Sequence, residues 1–359
     1  MMRIAMIDNS RGWGGAEQVM LMVASHLRER GHEVTVFVRE GGALVEPFRR
    51  AGHDVCAVPR KGLGVLAGIA RTASAIRGGG FDLIHVHRNH DLVVGKIASV
   101  AAGLPMLLTQ HCLLGNTSSS IINLADRVVA VSGFIGDDMK CRFPVLSGKL
   151  QVIHNGIDLT PFKEPKPGFW EKVPAVAGAK PLLGVIGYFY KNQEELIAMM
   201  PRVRERLPQA KLVIIGKDDE KQPALEKLAA ELGVADAVYF PGKIPYAEIG
   251  DAMAGLDFNV SAFRREGCAL NVLESLAVGT PFVGYRSGSY PELAIDGETG
   301  LLVDNQDQFV DALARLSADP ELVASMRKRA REDALVRFDL NRMVEDYLDH
   351  YREMTGGKP

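Results

Sequence analysis

At 359 residues the chain is too long for one compact core, so two domains are expected. Its 47% hydrophobic and 24% charged content is that of a soluble globular protein, and a net charge of −2 supplies no basic field for nucleic acid. The four cysteines (Cys56, Cys112, Cys141, Cys268) are scattered without a CxxC pair, which argues against a zinc site or a disulfide framework and suits a reducing, cytoplasmic compartment.

The opening run Met1 to Asp8 is too short for a signal peptide, and no apolar stretch approaches the roughly 18 residues of a membrane span. Residues 2–7 read as a buried strand. A turn-rich loop, Asn9 to Gly15, leads into a helix over 16–30, and residues 33–38 form the next strand. Strand, glycine loop, helix and strand make a βαβ unit and imply a parallel sheet. Further strands are expected at 53–58, 82–87, 105–109, 126–131 and 150–153, with helices at 63–77, 91–102 and 133–141. Pro161, Pro165, Pro167, Gly168 and Pro174 then read as an interdomain linker. A second α/β series follows, with strands at 182–187, 210–215, 237–240, 256–260, 281–284 and 300–303. Its helices fall near 192–207, 223–232, 246–254 and 269–278, and the end is helical over 305–317, 319–336 and 340–355. The fold class is therefore α/β, with two Rossmann-like doubly wound halves. Ligands of such sheets bind beyond the carboxyl ends of the strands, and two halves facing each other would put a cleft between them.

The stretch Arg265 to Glu274 concentrates the chemistry. Glu266 reads as a loop residue and Glu274 as lying about two turns into a helix that starts near Cys268. A helix N-terminus attracts anions, so two acids beside it suit a phosphorylated sugar, whose hydroxyls they would hold. The competing reading is a capping acid plus a surface glutamate. Gly12-Trp13-Gly14-Gly15-Ala16-Glu17 permits close backbone approach to a ligand, but it is not the G-x-G-x-x-G of a dinucleotide fold, and the second strand ends in Val38-Arg39-Glu40 without the expected acid. His85, His87 and His90 cluster at one strand end, which permits either a metal or structural histidines. His111 ends the next strand at the same edge. Lys191, after Gly187-Tyr188-Phe189-Tyr190, sits where a phosphate would sit or is a solvated lysine. Residues 60–77 (Arg60, Lys61, Arg71 and Arg77 with Leu63, Leu66, Ile69 and Ile76) are basic and amphipathic, and would rest on an anionic membrane or simply cover a sheet.

An ordered set of motifs resembles the retaining GT-B glycosyltransferases of family 4 over nearly the whole length. Gly14-Gly15-Ala16-Glu17, Gly31-His32-Glu33-Val34, Phe81 to His87, Leu108-Thr109-Gln110-His111, Ala125 to Ser132 and Val152 to Asp158 match the first domain. Glu266 and Glu274 match the family's E-x7-E pair, and Gly279-Thr280-Pro281, Pro291-Glu292 and Asp296 to Val303 its closing signature.

The resemblance implies a first domain over 1–163, on the acceptor side, with the helix of 340–359 crossing back onto it. It implies a second domain over 164–339 that binds a nucleotide-sugar donor. Glu274 would bind ribose hydroxyls, Glu266 would lie near the donor sugar, and the amides of Ala269, Leu270, Asn271 and Val272 would approach sugar and phosphates. Lys191 would neutralise the diphosphate, Ile244 would meet the base through its backbone, Gly14 and Gly15 would sit under donor or acceptor, and His111 would contact the donor sugar. The implied activity is retaining transfer of a hexosyl group to a glycan or lipid-linked hydroxyl of the cell envelope, without a metal or other cofactor, by a cytoplasmic protein with peripheral contact to the inner face of the membrane. A sugar phosphorylase or nucleotide-sugar epimerase on the same fold, and a non-catalytic nucleotide-sugar binder, are the alternatives. Two departures stand out. Tyr188 occupies a place where the family often has Arg, and Ser261-Ala262-Phe263-Arg264-Arg265 replaces the usual Pro-Ser before the first acid. Arg264 or Arg265 is the candidate for the missing cation.

Overall fold

The computed structural model describes residues 1–60, 62, 64–115, 120–166 and 168–357. Lys61, Leu63 and Pro167 lie outside the described residues, as do the last two residues of the 340–359 segment. The chain divides into two compact units, Met1–Ile157 with Leu340–Pro359, and Asp158–Asp339. Residues 158–163 thus group with the second unit rather than the first.

In the first unit the strands are β1 (Arg3–Asp8), β2 (Glu33–Arg39), β3 (Asp54–Val58), β4 (Leu83–Val86), β5 (Met106–Gln110), β6 (Arg127–Ala130) and β7 (Leu150–Val152). They form one parallel sheet in the order β3-β2-β1-β4-β5-β6-β7. Between them run α1 (Gly15–Glu29), α2 (Val45–Arg50), α3 (Gly64–Gly78), α4 (Leu92–Ala102) and α5 (Gly133–Arg142). The central strands read as unbroken apolar runs because helices cover both faces of a parallel sheet; Ile4 to Ile7 are fully buried. The short helix α2 is absent from the sequence reading. Two turns of helix leave little periodicity to detect, yet it carries Phe48 into the core against Trp13 and His53.

The second unit holds β8 (Leu182–Ile186), β9 (Lys211–Ile215), β10 (Val238–Gly242), β11 (Phe258–Ser261), β12 (Phe282–Tyr285) and β13 (Gly300–Val303), parallel in the order β10-β9-β8-β11-β12-β13. Its helices are α6 (Gln193–Arg206), α7 (Gln222–Glu231), α8 (Tyr246–Ala254), α9 (Leu270–Ala277), α10 (Tyr290–Leu293), α11 (Gln306–Ala318) and α12 (Pro320–Arg337). One core runs from Leu183, Val185 and Ile214 on the sheet to Ile197, Met200 and Leu313 on the helices. Each such aliphatic side chain contributes about 1.5–3 kcal/mol on full burial.

The proline-rich stretch is not a loose tether. Phe162 and Trp170 are buried, and the Trp170 indole N–H donates to Ala252 O at 2.7 Å. Gly250 of α8 makes this docking possible, since a Cβ there would stand 2.7 Å from Pro161 O. Burial of the aromatics at either end of the stretch outweighs the chain-breaking effect of its prolines.

The final helix, α13 (Leu340–Met354), belongs to the first unit. Its buried stripe of Met343, Val344, Tyr347, Leu348 and Tyr351 has helical spacing. The Tyr351 and Tyr347 hydroxyls reach His85 Nδ1 at 2.7 Å and Thr109 Oγ1 at 3.0 Å, and Arg342 donates to His154 O at 2.6 Å. Among the described residues no helix is long and apolar enough to cross a membrane.

Candidate functional site

Strand order reverses between β8 and β11, and ligands of open α/β sheets bind at such a point. There, beyond the ends of β8, β9 and β10, lies a cavity of about 280 Å³ walled by Ile186, Tyr188, Ile215, Ile244 and Ile249, with Glu274 among them. Gly187, Gly216 and Gly242 end the three strands in succession. Gly216 is held at φ +151°, where a Cβ would lie 2.3 Å from Gly187 O. Only a residue without a side chain lets the two strand ends close around the cavity floor.

Helix α9 begins at Leu270 with Ala269 as its cap, two residues later than the sequence suggests, and Glu274 therefore lies little more than one turn in. Val272 and Leu273 N–H both reach Ala269 O, at 3.1 and 3.3 Å, leaving the Leu270 and Asn271 N–H groups without partners inside the helix. The Asn271 side chain donates to Ile186 O at 2.7 Å and ties the helix to the end of β8. Glu274 is buried, which rules out the surface-glutamate reading. Burial pushes its carboxyl up to about 7, against the pull of the Tyr246 hydroxyl that donates to it. The Tyr246 hydroxyl is itself shifted upward, first by burial and then by the Glu274 charge, although the ring is exposed. Tyr246 had no signal in the sequence, because its pairing with Glu274 is purely tertiary.

Lys191, in the loop before α6, and Glu266, in the loop before α9, meet as an ion pair. Lys191 Nζ donates to Glu266 Oε2 at 2.7 Å and lies 5.9 Å from the Phe263 ring centre. The loop carrying Lys191 is folded by Gln193, a fully buried residue: its side chain accepts from Lys191 N–H at 2.9 Å and donates to Tyr188 O at 2.8 Å. Asn192, with φ +57°, turns the chain into α6 and donates to Ala262 O at 3.2 Å. The Glu266 carbonyl accepts from Ser289 N–H at 3.0 Å.

Arg264 is engaged away from the Lys191–Glu266 pair. Its guanidinium forks onto Glu195 at 2.7 and 2.8 Å and lies 3.7 Å from the centre of the Tyr285 ring. Tyr285 OH also donates to Glu195, at 2.6 Å. These bonds hold the Glu195 carboxyl down at about 2 despite an opposing burial effect. Arg265 is exposed and makes no ion pair among the described residues.

Gly14 and His111 line a separate cavity of about 390 Å³ in the first unit, at the reversal between β1 and β4, with Arg11, Glu17, His87 and Arg88. Gly15 is the first residue of α1. The Gly14 N–H is taken by Glu17 Oε2 at 2.8 Å, and the other Glu17 oxygen accepts from Arg88. His111 Nε2 lies 3.3 Å from His87 Nδ1 with the rings stacked. Burial, then the neighbouring His87 and Arg88, hold the His111 imidazole well below its ordinary range, and burial brings His87 to about 3. Both rings are neutral at pH 7. The metal reading of His85, His87 and His90 fails: both His85 nitrogens are bonded, to Tyr351 and Thr109, and His90 turns to Asp91 at 3.3 Å. No group of three or more His, Cys, Asp or Glu side chains is placed to hold a metal among the described residues. None of the four cysteines forms a disulfide.

Two parallel α/β units with sites at their strand reversals define a GT-B protein. The chain matches Anabaena HepE in complex with UDP and glucose with a TM-score of 0.85 at 23% identity, covering 98% of this chain and all of that one. It matches sucrose-phosphate synthase from Thermosynechococcus elongatus with a TM-score of 0.83 at 20% identity, covering the whole of both chains. The model of glycosyltransferase family 4 matches residues 13–161, and that of glycosyl transferases group 1 matches residues 171–333. The chain is 26% identical over 392 residues to D-inositol 3-phosphate glycosyltransferase of Acidothermus cellulolyticus, spanning 95% of this chain and 86% of the relative. It is 27% identical over 307 residues to alpha-maltose-1-phosphate synthase of Mycolicibacterium smegmatis, spanning 76% and 79%. It belongs to the family 4 glycosyltransferases of the GT-B fold.

Proposed function

We propose that the protein transfers a sugar from a nucleoside-diphosphate sugar to a hydroxyl acceptor with retention of configuration and without a metal. The observation that carries this reading is the buried Glu274 in an apolar cavity, one helical turn behind the free N–H groups of α9, with Lys191, whose side chain runs past Gly187 of the cavity wall, paired to Glu266. The cavity takes the base and ribose, with Ile244 against the base and Glu274 accepting from ribose hydroxyls. The Leu270 and Asn271 amides and Lys191 meet the diphosphate. Breaking the bond between the anomeric carbon and the phosphate oxygen puts negative charge on the diphosphate, which fixed dipoles and a cation stabilise without reorganising. The sugar becomes oxocarbenium-like, as in glycoside hydrolysis. The acceptor oxygen bonds to the same face, and its proton passes to the departing phosphate oxygen. Glu266 orients the sugar from the donor side, and His111, as a neutral imidazole, contributes a hydrogen bond to it.

The complexes of HepE with UDP and with UDP-glucose make UDP-glucose the first donor to test. A cell-envelope glycan or lipid-linked acceptor is the acceptor reading. The experiment is thermal melting with UDP, GDP, ADP, CMP and the matching sugar nucleotides in the presence of a chelator. A ligand at a hundredfold excess over Kd stabilises by about 2.7 kcal/mol. One nucleotide series is expected to raise the melting temperature, and Glu274→Ala to abolish the rise. Product analysis then decides between transfer, epimerisation and phosphorolysis. A folded protein that responds to none of the nucleotides refutes the donor reading.

A further inference from the structure

His87 follows the end of β4 and His111 the end of β5, two neighbouring strands of the first unit's sheet. The two rings therefore meet where these strands end, on the wall of the cavity of about 390 Å³. Their planes are 17° apart, and His87 Nδ1 stands 3.3 Å from His111 Nε2. Both rings are neutral at pH 7.

A neutral imidazole has one N–H and one bare nitrogen, so a bond between two of them runs in one of two directions. If His111 Nε2–H donates to His87 Nδ1, the His87 proton must sit on Nε2. If His87 Nδ1–H donates to His111 Nε2, then His87 Nε2 is a bare lone pair and the His111 proton must sit on Nδ1. The surroundings of His87 decide between them. The residue is 1% exposed, and its Nε2 is buried without a hydrogen-bond partner among the described residues. The adjoining ring, His85, lies 4.0 Å away between centres and has both nitrogens committed, Nδ1 to Tyr351 and Nε2 to Thr109. The first direction buries an N–H with no acceptor. The second leaves only an unused lone pair, which is the lighter loss, since orphaned buried N–H groups are rarer than under-used acceptors.

We infer that His87 is a positioning residue that fixes the tautomer of His111: His87 Nδ1–H donates to His111 Nε2, and His111 keeps Nδ1–H as its donor for a ligand. The proton's place on one ring nitrogen is set by the bond the other nitrogen makes. His111 is half-buried on the cavity wall and makes no other side-chain hydrogen bond among the described residues, so Nδ1 is the nitrogen left for a ligand. A donor N–H takes an oxygen lone pair. His111 thus holds a hydroxyl or ether oxygen of the sugar, and while paired with His87 it does not serve as the base that removes a hydroxyl proton. This assignment rests on the reading of His111 as a sugar contact, and gives that contact its atom and its direction.

The test is long-range proton–nitrogen NMR of the full chain labelled at the histidine ring nitrogens, the rings being assigned from His87→Asn and His111→Asn. In the unsubstituted chain His87 and His111 are both expected to carry the proton on Nδ1. His87→Phe removes the donor, and the His111 proton is expected to move toward Nε2. His87→Asn returns an amide N–H near the place of Nδ1 and is expected to restore the Nδ1–H form. In the same variants the thermal shift with UDP should persist, because its cavity belongs to the second unit. Turnover of the sugar nucleotide that raises the melting temperature is expected to fall about tenfold in kcat for His87→Phe, with KM little changed, and to recover in His87→Asn. A His111 proton on Nε2 in the unsubstituted chain overturns the assignment, whether or not His87→Phe folds. An unchanged His111 tautomer in His87→Phe, or a changed tautomer with unchanged kcat, overturns the role given to His87. Protons placed as expected in a chain that responds to no nucleotide refute the donor reading and leave the tautomer assignment standing.

Discussion

Lys191 Nζ sits 2.7 Å from Glu266 Oε2, so the cation proposed for the leaving diphosphate is already paired with the acid proposed for the sugar. An incoming diphosphate competes with Glu266 for one ammonium group. Neutralising the acid should therefore tighten binding of the product nucleotide while harming turnover. Glu266→Gln is expected to lower the Kd for the nucleoside diphosphate about three- to tenfold, and Lys191→Ala to raise it about tenfold or more. Both should lower kcat, by about a hundredfold for the glutamine variant. Calorimetric titration beside steady-state kinetics separates these effects. Equal weakening of diphosphate binding in both variants would show that the pair acts as a unit.

Glu274 carries a pH signature. Its folded-state value, about 7, lies above the 4.5 of an ordinary glutamate. Below pH 4.5 the carboxyl is neutral in both states. As pH rises toward 7 the unfolded chain releases its proton and the folded chain does not, so stability falls, by about 3 kcal/mol at most, and levels off above 7. Glu274→Gln should thus raise the melting temperature of the ligand-free protein at pH 8, leave it nearly unchanged at pH 4, and still lose the nucleotide response. Scanning calorimetry at the two pH values checks this; a destabilised glutamine variant at pH 8 would contradict it.

Arg264→Ala should leave donor affinity unchanged. The side chain serves Glu195 and Tyr285, so its loss is expected to lower stability by about 1 kcal/mol. Because Glu195 is held near 2, the contribution is present above pH 4.5 and disappears as pH falls through about 2. Urea unfolding at pH 7, with a nucleotide titration of the same variant, measures both quantities. A raised donor Kd would return Arg264 to the diphosphate site.

Gly216→Ala tests the cavity floor. The new Cβ would press on Gly187 O, a backbone atom, at 2.3 Å, so the strand ends must part. A loss of about 2–3 kcal/mol is expected, with the nucleotide-induced thermal shift abolished even in the fraction that folds. Retention of that shift would mean that the ligand does not approach these strand ends.

The strands were legible because a parallel sheet buried on both faces leaves continuous apolar runs, as in Ile4 to Ile7 and Leu212 to Ile215. Glu266, Glu274 and Lys191 could be singled out as candidates because they stand in or within about a turn of loop-to-helix junctions. The partners that define their state could not. Tyr246 on Glu274 and Arg264 on Glu195 join residues 28 and 69 positions apart, and no local pattern of side chains announces such pairings. The His85 cluster stayed open between metal and structural readings for the same reason: its partners, Thr109 and Tyr351, come from other elements, one of them 266 residues away. The proline run misled because local propensity was outweighed by the burial of Phe162 and Trp170.

The placement of α13 has a consequence for how the molecule is made. The first unit needs Tyr347 and Tyr351 to cover His85 and Thr109, and those tyrosines follow the whole of the second unit in the chain. During synthesis, where domains fold as units in order of emergence, the seven-stranded sheet must wait with one helix site vacant while all of Asp158–Asp339 is translated. The second unit, whose residues are contiguous, can finish first. A ribosome stalled after Asp339 should therefore carry a protease-resistant second unit and a first unit that remains open to cleavage.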